Sequence, residues 1–170
     1  MHIVIAVITA IAGLLWALNS LQQSGFDLNS LNPFYWWRRR AWEKKQVDPL
    51  YAIESPRELA AVLAFATVRL GGDPTEEQKQ FLLKAYEEEL LFTAKDGTEM
   101  YAVASHLVST DPNFEHQATK LVAPCKSSLT EEQRTSILKL ATEAAACSGT
   151  LTDAQTDFIN ALSKALYEQR

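Results

Sequence analysis

The sequence predicts an all-α protein: an N-terminal single transmembrane helix followed by a helical bundle. Three observations carry this. Residues 3 to 18, "IVIAVITAIAGLLWAL", are apolar or Gly apart from Thr9. Ser/Thr-x-x-Glu/Gln boxes, which open helices, recur four times in the remainder. No apolar–polar alternation of strand length occurs, while Ala, Leu, Glu, Lys and Gln, the strong helix formers, are abundant.

Within 170 residues there is room for one ordinary domain and an additional segment. With 47% hydrophobic and 22% charged residues the chain is a folding one. Its net charge of −5 is unevenly spread. From Gln46 to Arg170 there are 11 Lys and Arg against 19 Asp and Glu, a balance of −8. A domain so acidic repels phosphates, which argues against a nucleic-acid partner.

The anchor is predicted over residues 1–24. Extending the apolar run through Asn19, Ser20 and Leu21 gives a span near the ~20 residues that cross a hydrocarbon core. No charged side chain precedes Asp27. A cleaved signal peptide, the competing reading, calls for a basic start and a small-residue exit. Met1-His2 and the residues after Trp16-Ala17-Leu18 supply neither. A buried core helix is the other alternative.

Residues 25–54 form a basic and aromatic juxtamembrane segment and linker. "NPFYWWRRRAWEKK", residues 32–45, gathers Phe34, Tyr35, Trp36, Trp37 and Trp42 with Arg38, Arg39, Arg40, Lys44 and Lys45. Aromatic rings favour the headgroup layer, and cations there attract anionic lipid headgroups by about 1 kcal/mol each. Asn32 and Pro33 suit a helix start, and Phe34, Trp37 and Ala41 share one side. Two arrangements stay open: a helix along the inner leaflet, or rings docked on the domain with the arginines setting topology. Because these cations all lie after the span, the expected location is the bacterial inner membrane, single-pass, with the N-terminus outside and the C-terminal domain cytoplasmic.

The bundle is predicted over residues 55–170. Its boxes are "SPRE" at 55–58, "TEEQ" at 75–78, "TEEQ" at 130–133 and "TDAQ" at 152–155. Apolar series follow at helical spacing, such as Phe81, Leu82, Ala85 and Phe158, Ile159, Leu162, Leu166. Two more helices are expected at about 98–109 and 113–123, separated by Asp111-Pro112. The helix over 58–70, apolar nearly all round, belongs at the bundle's centre. An internal echo sets Leu63, Gly72, Thr75, Gln78 and Phe81 over Leu140, Gly149, Thr152, Gln155 and Phe158, 77 positions on.

Those two turns, "LGGDPTEEQ" at 70–78 and "CSGTLTDAQ" at 147–155, resemble the TerB-like (tellurite-resistance) helical domain family. The resemblance implies a TerB-like helical bundle from about Ser55 onward. An anchor ahead of this domain also looks like the front half of a membrane-anchored DnaJ-like co-chaperone, but no J domain and no His-Pro-Asp is present. Where the family pattern has Asp before Gly, this chain has Gly71 and Ser148; where it has a capping Glu, Gln78 and Gln155 stand. The metal binding attributed to the family rests on those acidic positions and is not carried over.

Other chemistry is sparse. Asp73 and Glu77, or Asp153, could offer oxygens to a hard cation, against a plainer role beside helix N-termini. His106 and His116 lack metal-ligand spacing. Cys125 and Cys147 read as ordinary helical thiols, and Glu87-Glu88-Glu89 as a solvated face. Catalytic residues, metal ligands and cofactors are therefore expected to be none. The expected role is a non-enzymatic, membrane-anchored cytoplasmic helical interaction module with a protein partner, serving envelope or metal stress response. The alternative is a small-ligand or divalent-metal sensing domain at the inner membrane.

Overall fold

The computed structural model describes residues 48–168. Six α-helices and no strand occur among them, so the all-α class holds for this region. The helices are α1 (Pro56–Arg69), α2 (Glu76–Glu88), α3 (Ala94–Thr110), α4 (Ala118–Val122), α5 (Glu131–Ala146) and α6 (Asp153–Tyr167). Short 3-10 turns at Pro49–Tyr51, Phe114–Gln117 and Lys126–Ser128 join or precede them. None of these helices is long and apolar enough to cross a membrane. The predicted anchor (1–24) and the whole collar, Phe34 to Lys45, lie outside the described residues.

α1 is the central helix, as its apolar sequence requires. Every residue from Leu59 to Val68 is buried, and the helix packs chiefly against α5 and α3. Each large aliphatic side chain so buried is worth about 1.5–3 kcal/mol. The one polar side chain in that run, Thr67, returns its hydroxyl to the Leu63 carbonyl at 2.8 Å, so burial leaves no donor unmet. Tyr86 of α2 donates to the Ala61 carbonyl at 2.7 Å. Edge-to-face ring pairs fasten α1 to α3 (Phe65–Tyr101, 5.2 Å) and the 114–117 turn to α6 (Phe114–Phe158, 5.7 Å).

Three of the four boxes form fully. Thr75, Thr130 and Thr152 each accept from the backbone N–H three residues on, while Gln78, Gln133 and Gln155 accept from the cap residue's own N–H. Ser55 makes no such bond; Pro56 at N1 and burial set that start instead. α3 begins at Ala94 rather than near Thr98, because Thr93 caps it through the Asp96 N–H. The expected helix at 113–123 divides into the 3-10 turn and a short α4. The core also reaches ahead of Ser55: Leu50, Tyr51 and Ile53 are buried, and Asp48 caps their turn through the Leu50 N–H.

The internal echo is a shared geometry. Gly72 (φ 121°) and Gly149 (φ 141°) take the left-handed conformation that stops α1 and α5. α2 ends differently. The Phe92 N–H reaches back to the Tyr86 carbonyl at 2.9 Å, and the left-handed residue between them is Leu91 (φ 56°). A non-glycine residue there costs about 1–2 kcal/mol. Phe92 folding its ring onto Tyr86 supplies the apolar contact that accompanies such a stop.

Candidate functional site

A groove opens where the start of α1, the end of α2 and the start of α5 meet, with a volume of about 230 Å³. α1 contributes Arg57 and Ala60, the α2 end Glu89 and Leu90, and α5 Glu132, Ile137 and Leu140. Ala60, Ile137 and Leu140 are buried members of the core, and Leu90 is half-buried against it. The apolar side chains that line it are therefore core residues that the three helix ends leave almost wholly covered. The next residue after Leu90 is Leu91, which is 75% exposed.

The polar lining is Glu89 and Glu132 with Arg57, Gln133 and Ser136. Glu89 and Glu132 are exposed. Neither has a cationic partner among the described residues, whereas the neighbouring Glu88 and Glu131 pair with Lys84 and Arg134 at 3.9 Å each. Glu132 is held below the usual carboxylate range by the free N–H at the start of α5, then by the Thr130 hydroxyl. It is a fixed negative charge at neutral pH. Arg57, the cation lining the groove, lies with its guanidinium 4.4 Å from the centre of the Phe92 ring.

Elsewhere among the described residues, the side chains singled out in the sequence lie apart from one another. Asp73, 93% exposed, pairs with Arg69 at 2.9 Å. Glu77 and Asp153 sit in the first turns of α2 and α6, where they face the helix N-termini. No group of three or more side chains able to hold a metal ion occurs among the described residues. His106 and His116 are exposed, with His116 3.5 Å from Glu115.

Cys125 is buried and donates its thiol to the Ile53 carbonyl at 3.0 Å. Burial, reinforced by the charges of Glu58 and Glu54, pushes that thiol up to about 11. Burial and Glu77 also raise Cys147. A nucleophilic cysteine needs the opposite shift, so neither thiol is activated.

The sequence pointed to Glu87-Glu88-Glu89 only as a solvated face. All three are exposed, but Glu89 also edges the groove. Glu132 was legible as part of a capping box, not as a rim charge. Leu91 carried no sequence signal, because a left-handed helix stop is ordinarily marked by Gly. No family model matches the chain, and no curated protein or solved structure matches it either.

Proposed function

We propose that this chain is a membrane-anchored cytoplasmic interaction module, a TerB-like helical bundle held at the bacterial inner membrane and serving envelope or metal stress response. The anchor reading rests on the apolar run at 3–21. The collar from Phe34 to Lys45 supports the orientation through its cations and supports contact with anionic headgroups.

One observation carries the interaction role: Leu91, an apolar side chain left 75% exposed at a costly backbone angle, next to a groove lined in part by Glu89 and Glu132. A strained backbone angle kept for an exposed apolar side chain points to a use outside the domain's own packing. At about 230 Å³ the groove falls below the roughly 300–1,000 Å³ of small-ligand sites. That favours side chains of a protein partner over an enclosed ligand, and so favours this reading over small-ligand sensing.

Photocrosslinking in cells tests it. A crosslinker placed at Leu91 is expected to trap a protein adduct, and one at Asp157 on α6, outside the groove, is not. Equal labelling at both positions, or at neither under any envelope stress, refutes the interaction role.

A further inference from the structure

We infer that the bundle is latched at one end and unlatched at the other, so that it opens locally where α2 meets α5. Gln155 ties α6 to α1, while Ser148 prevents the matching tie between α2 and α5. Opening there frees the 147–152 turn and leaves the α1–α6 end closed as a frame.

The 77-residue echo sets corresponding residues at the two ends. Thr67, Gly71 and Gln78 match Ala144, Ser148 and Gln155. α1 packs on α6 as α2 packs on α5, and the Glu77 charge at the start of α2 is felt by Cys147 at the end of α5. Gln155 and Gln78 are alike in burial, 3% and 5% exposed. Both accept a cap N–H through Oε1, from Thr152 and Thr75 respectively. They differ in the other half of the amide. Gln155 Nε2 donates to the Thr67 carbonyl at 3.1 Å, whereas Gln78 Nε2 has no hydrogen-bond partner among the described residues.

One Cβ accounts for the difference. A Cβ at position 71 would stand 2.5 Å from Gln155 Nε2, so the amide reaches the α1 end only because that residue is Gly. Position 148 carries the Cβ that position 71 lacks. In the same approach it bars Gln78 from the Ala144 carbonyl.

The main-chain closure of the two helices is otherwise similar. Leu70 and Gly72 donate to Ala66 and Arg69 at 3.2 and 3.1 Å, and Cys147 and Gly149 donate to Glu143 and Ala146 at 3.0 and 3.1 Å. Both stops use a left-handed Gly. On α1, Gly71 adds a bond to Val68 at 3.0 Å. A helix end with fewer ties opens at lower free energy than the rest of the fold.

Amide hydrogen exchange of the full chain tests this, with each rate corrected for the residue's intrinsic exchange. Cys147 and Gly149 are expected to exchange at least about fivefold faster than Leu70 and Gly72, the factor that one net hydrogen bond supplies. Ser148→Gly is expected to slow Cys147 and Gly149 by about fivefold and to leave Leu70 and Gly72 unchanged. Glycine by itself loosens a chain, so slowing requires a new bond. Adding Gln78→Ala is expected to abolish it. Gln155→Ala is expected to speed Leu70 and Gly72 but not Cys147.

Equal protection at the two ends overturns the inference. So does exchange at Cys147 that Ser148→Gly leaves unchanged or speeds. Slowing that survives Gln78→Ala, or that spreads evenly over all the helices, would reflect something other than this amide and overturn it likewise.

Discussion

The Gln155 amide donates from Nε2 to the main-chain carbonyl of Thr67 at 3.1 Å, joining the first turn of α6 to the last turn of α1. The reason lies in how α1 ends. Leu70, Gly71 and Gly72 return their N–H groups to Ala66, Val68 and Arg69. These bonds leave the Thr67 carbonyl to a side chain. Gln155 is 3% exposed, and its Oε1 accepts from the Thr152 N–H at 2.9 Å, so one buried amide caps two helices.

Gly71 makes that approach possible. A Cβ at position 71 would lie 2.5 Å from Gln155 Nε2. Replacing glycine outside a left-handed site ordinarily stabilises by about 0.4–1 kcal/mol. Here the lost hydrogen bonding outweighs it, and Gly71→Ala is expected to destabilise by about 1–3 kcal/mol. In a double-mutant cycle with Gln155→Ala the two losses should be less than additive. Strict additivity in urea unfolding would show that the two residues act separately.

The caps differ in a measurable way. Thr75→Ala, Thr130→Ala and Thr152→Ala should each cost about 1 kcal/mol, since each breaks a reciprocal box. Ser55→Ala should cost less than about 0.5 kcal/mol, because that hydroxyl caps nothing. Equal losses at all four sites in chemical denaturation would contradict the geometry.

Leu91→Gly should stabilise the domain by about 1 kcal/mol through relief of its backbone angle. Calorimetry should register a rise of about 3–5 °C. Leu91→Ala keeps the strain and should give no comparable rise. A drop in the midpoint for the glycine variant would mean that Leu91 packs where its exposure says it does not.

Acid should loosen the N-terminal turn. The Tyr51 hydroxyl donates to the Asp111 carboxylate, and Lys120 lies 4.0 Å from the centre of the Tyr51 ring. That hydrogen bond, then the Asn113 N–H, holds the Asp111 carboxyl below its ordinary value. The folded state thus binds fewer protons here than the unfolded one. The contribution is present above about pH 4 and is lost as pH falls through the folded value. Urea midpoints measured from pH 7 to pH 3 should fall more steeply for the natural chain than for Asp111→Asn. Parallel curves would show that this contact does not hold the turn.

The thiols should separate by reactivity. At pH 8 under native conditions a maleimide should label the half-exposed Cys147 and spare Cys125, which is buried and held protonated. Both should label in denaturant. Native labelling of Cys125 at the rate of Cys147 would show that the Ile53 contact opens readily.

The bundle was legible because its signals are local. Boxes at Thr75, Thr130 and Thr152, glycine stops at Gly72 and Gly149, and the apolar run of α1 each depend on a few adjacent residues. The start of α3 was missed because Thr93-Ala94-Lys95-Asp96 ends in Asp rather than Glu or Gln, yet the threonine caps all the same. The groove was not legible at all. It joins residues from three helix ends, and no single stretch announces that Leu90, Ile137 and Leu140 line one groove. The glycine at position 71 also has its reason 84 positions on, in Gln155.

The tether on which the proposed role depends is tested most directly by alkaline washing of cell membranes followed by sedimentation of the full-length chain. The full-length chain is expected to stay in the pellet, while a chain beginning at Val47 is released. Release of the full-length chain into the supernatant would contradict the tether and the role built on it.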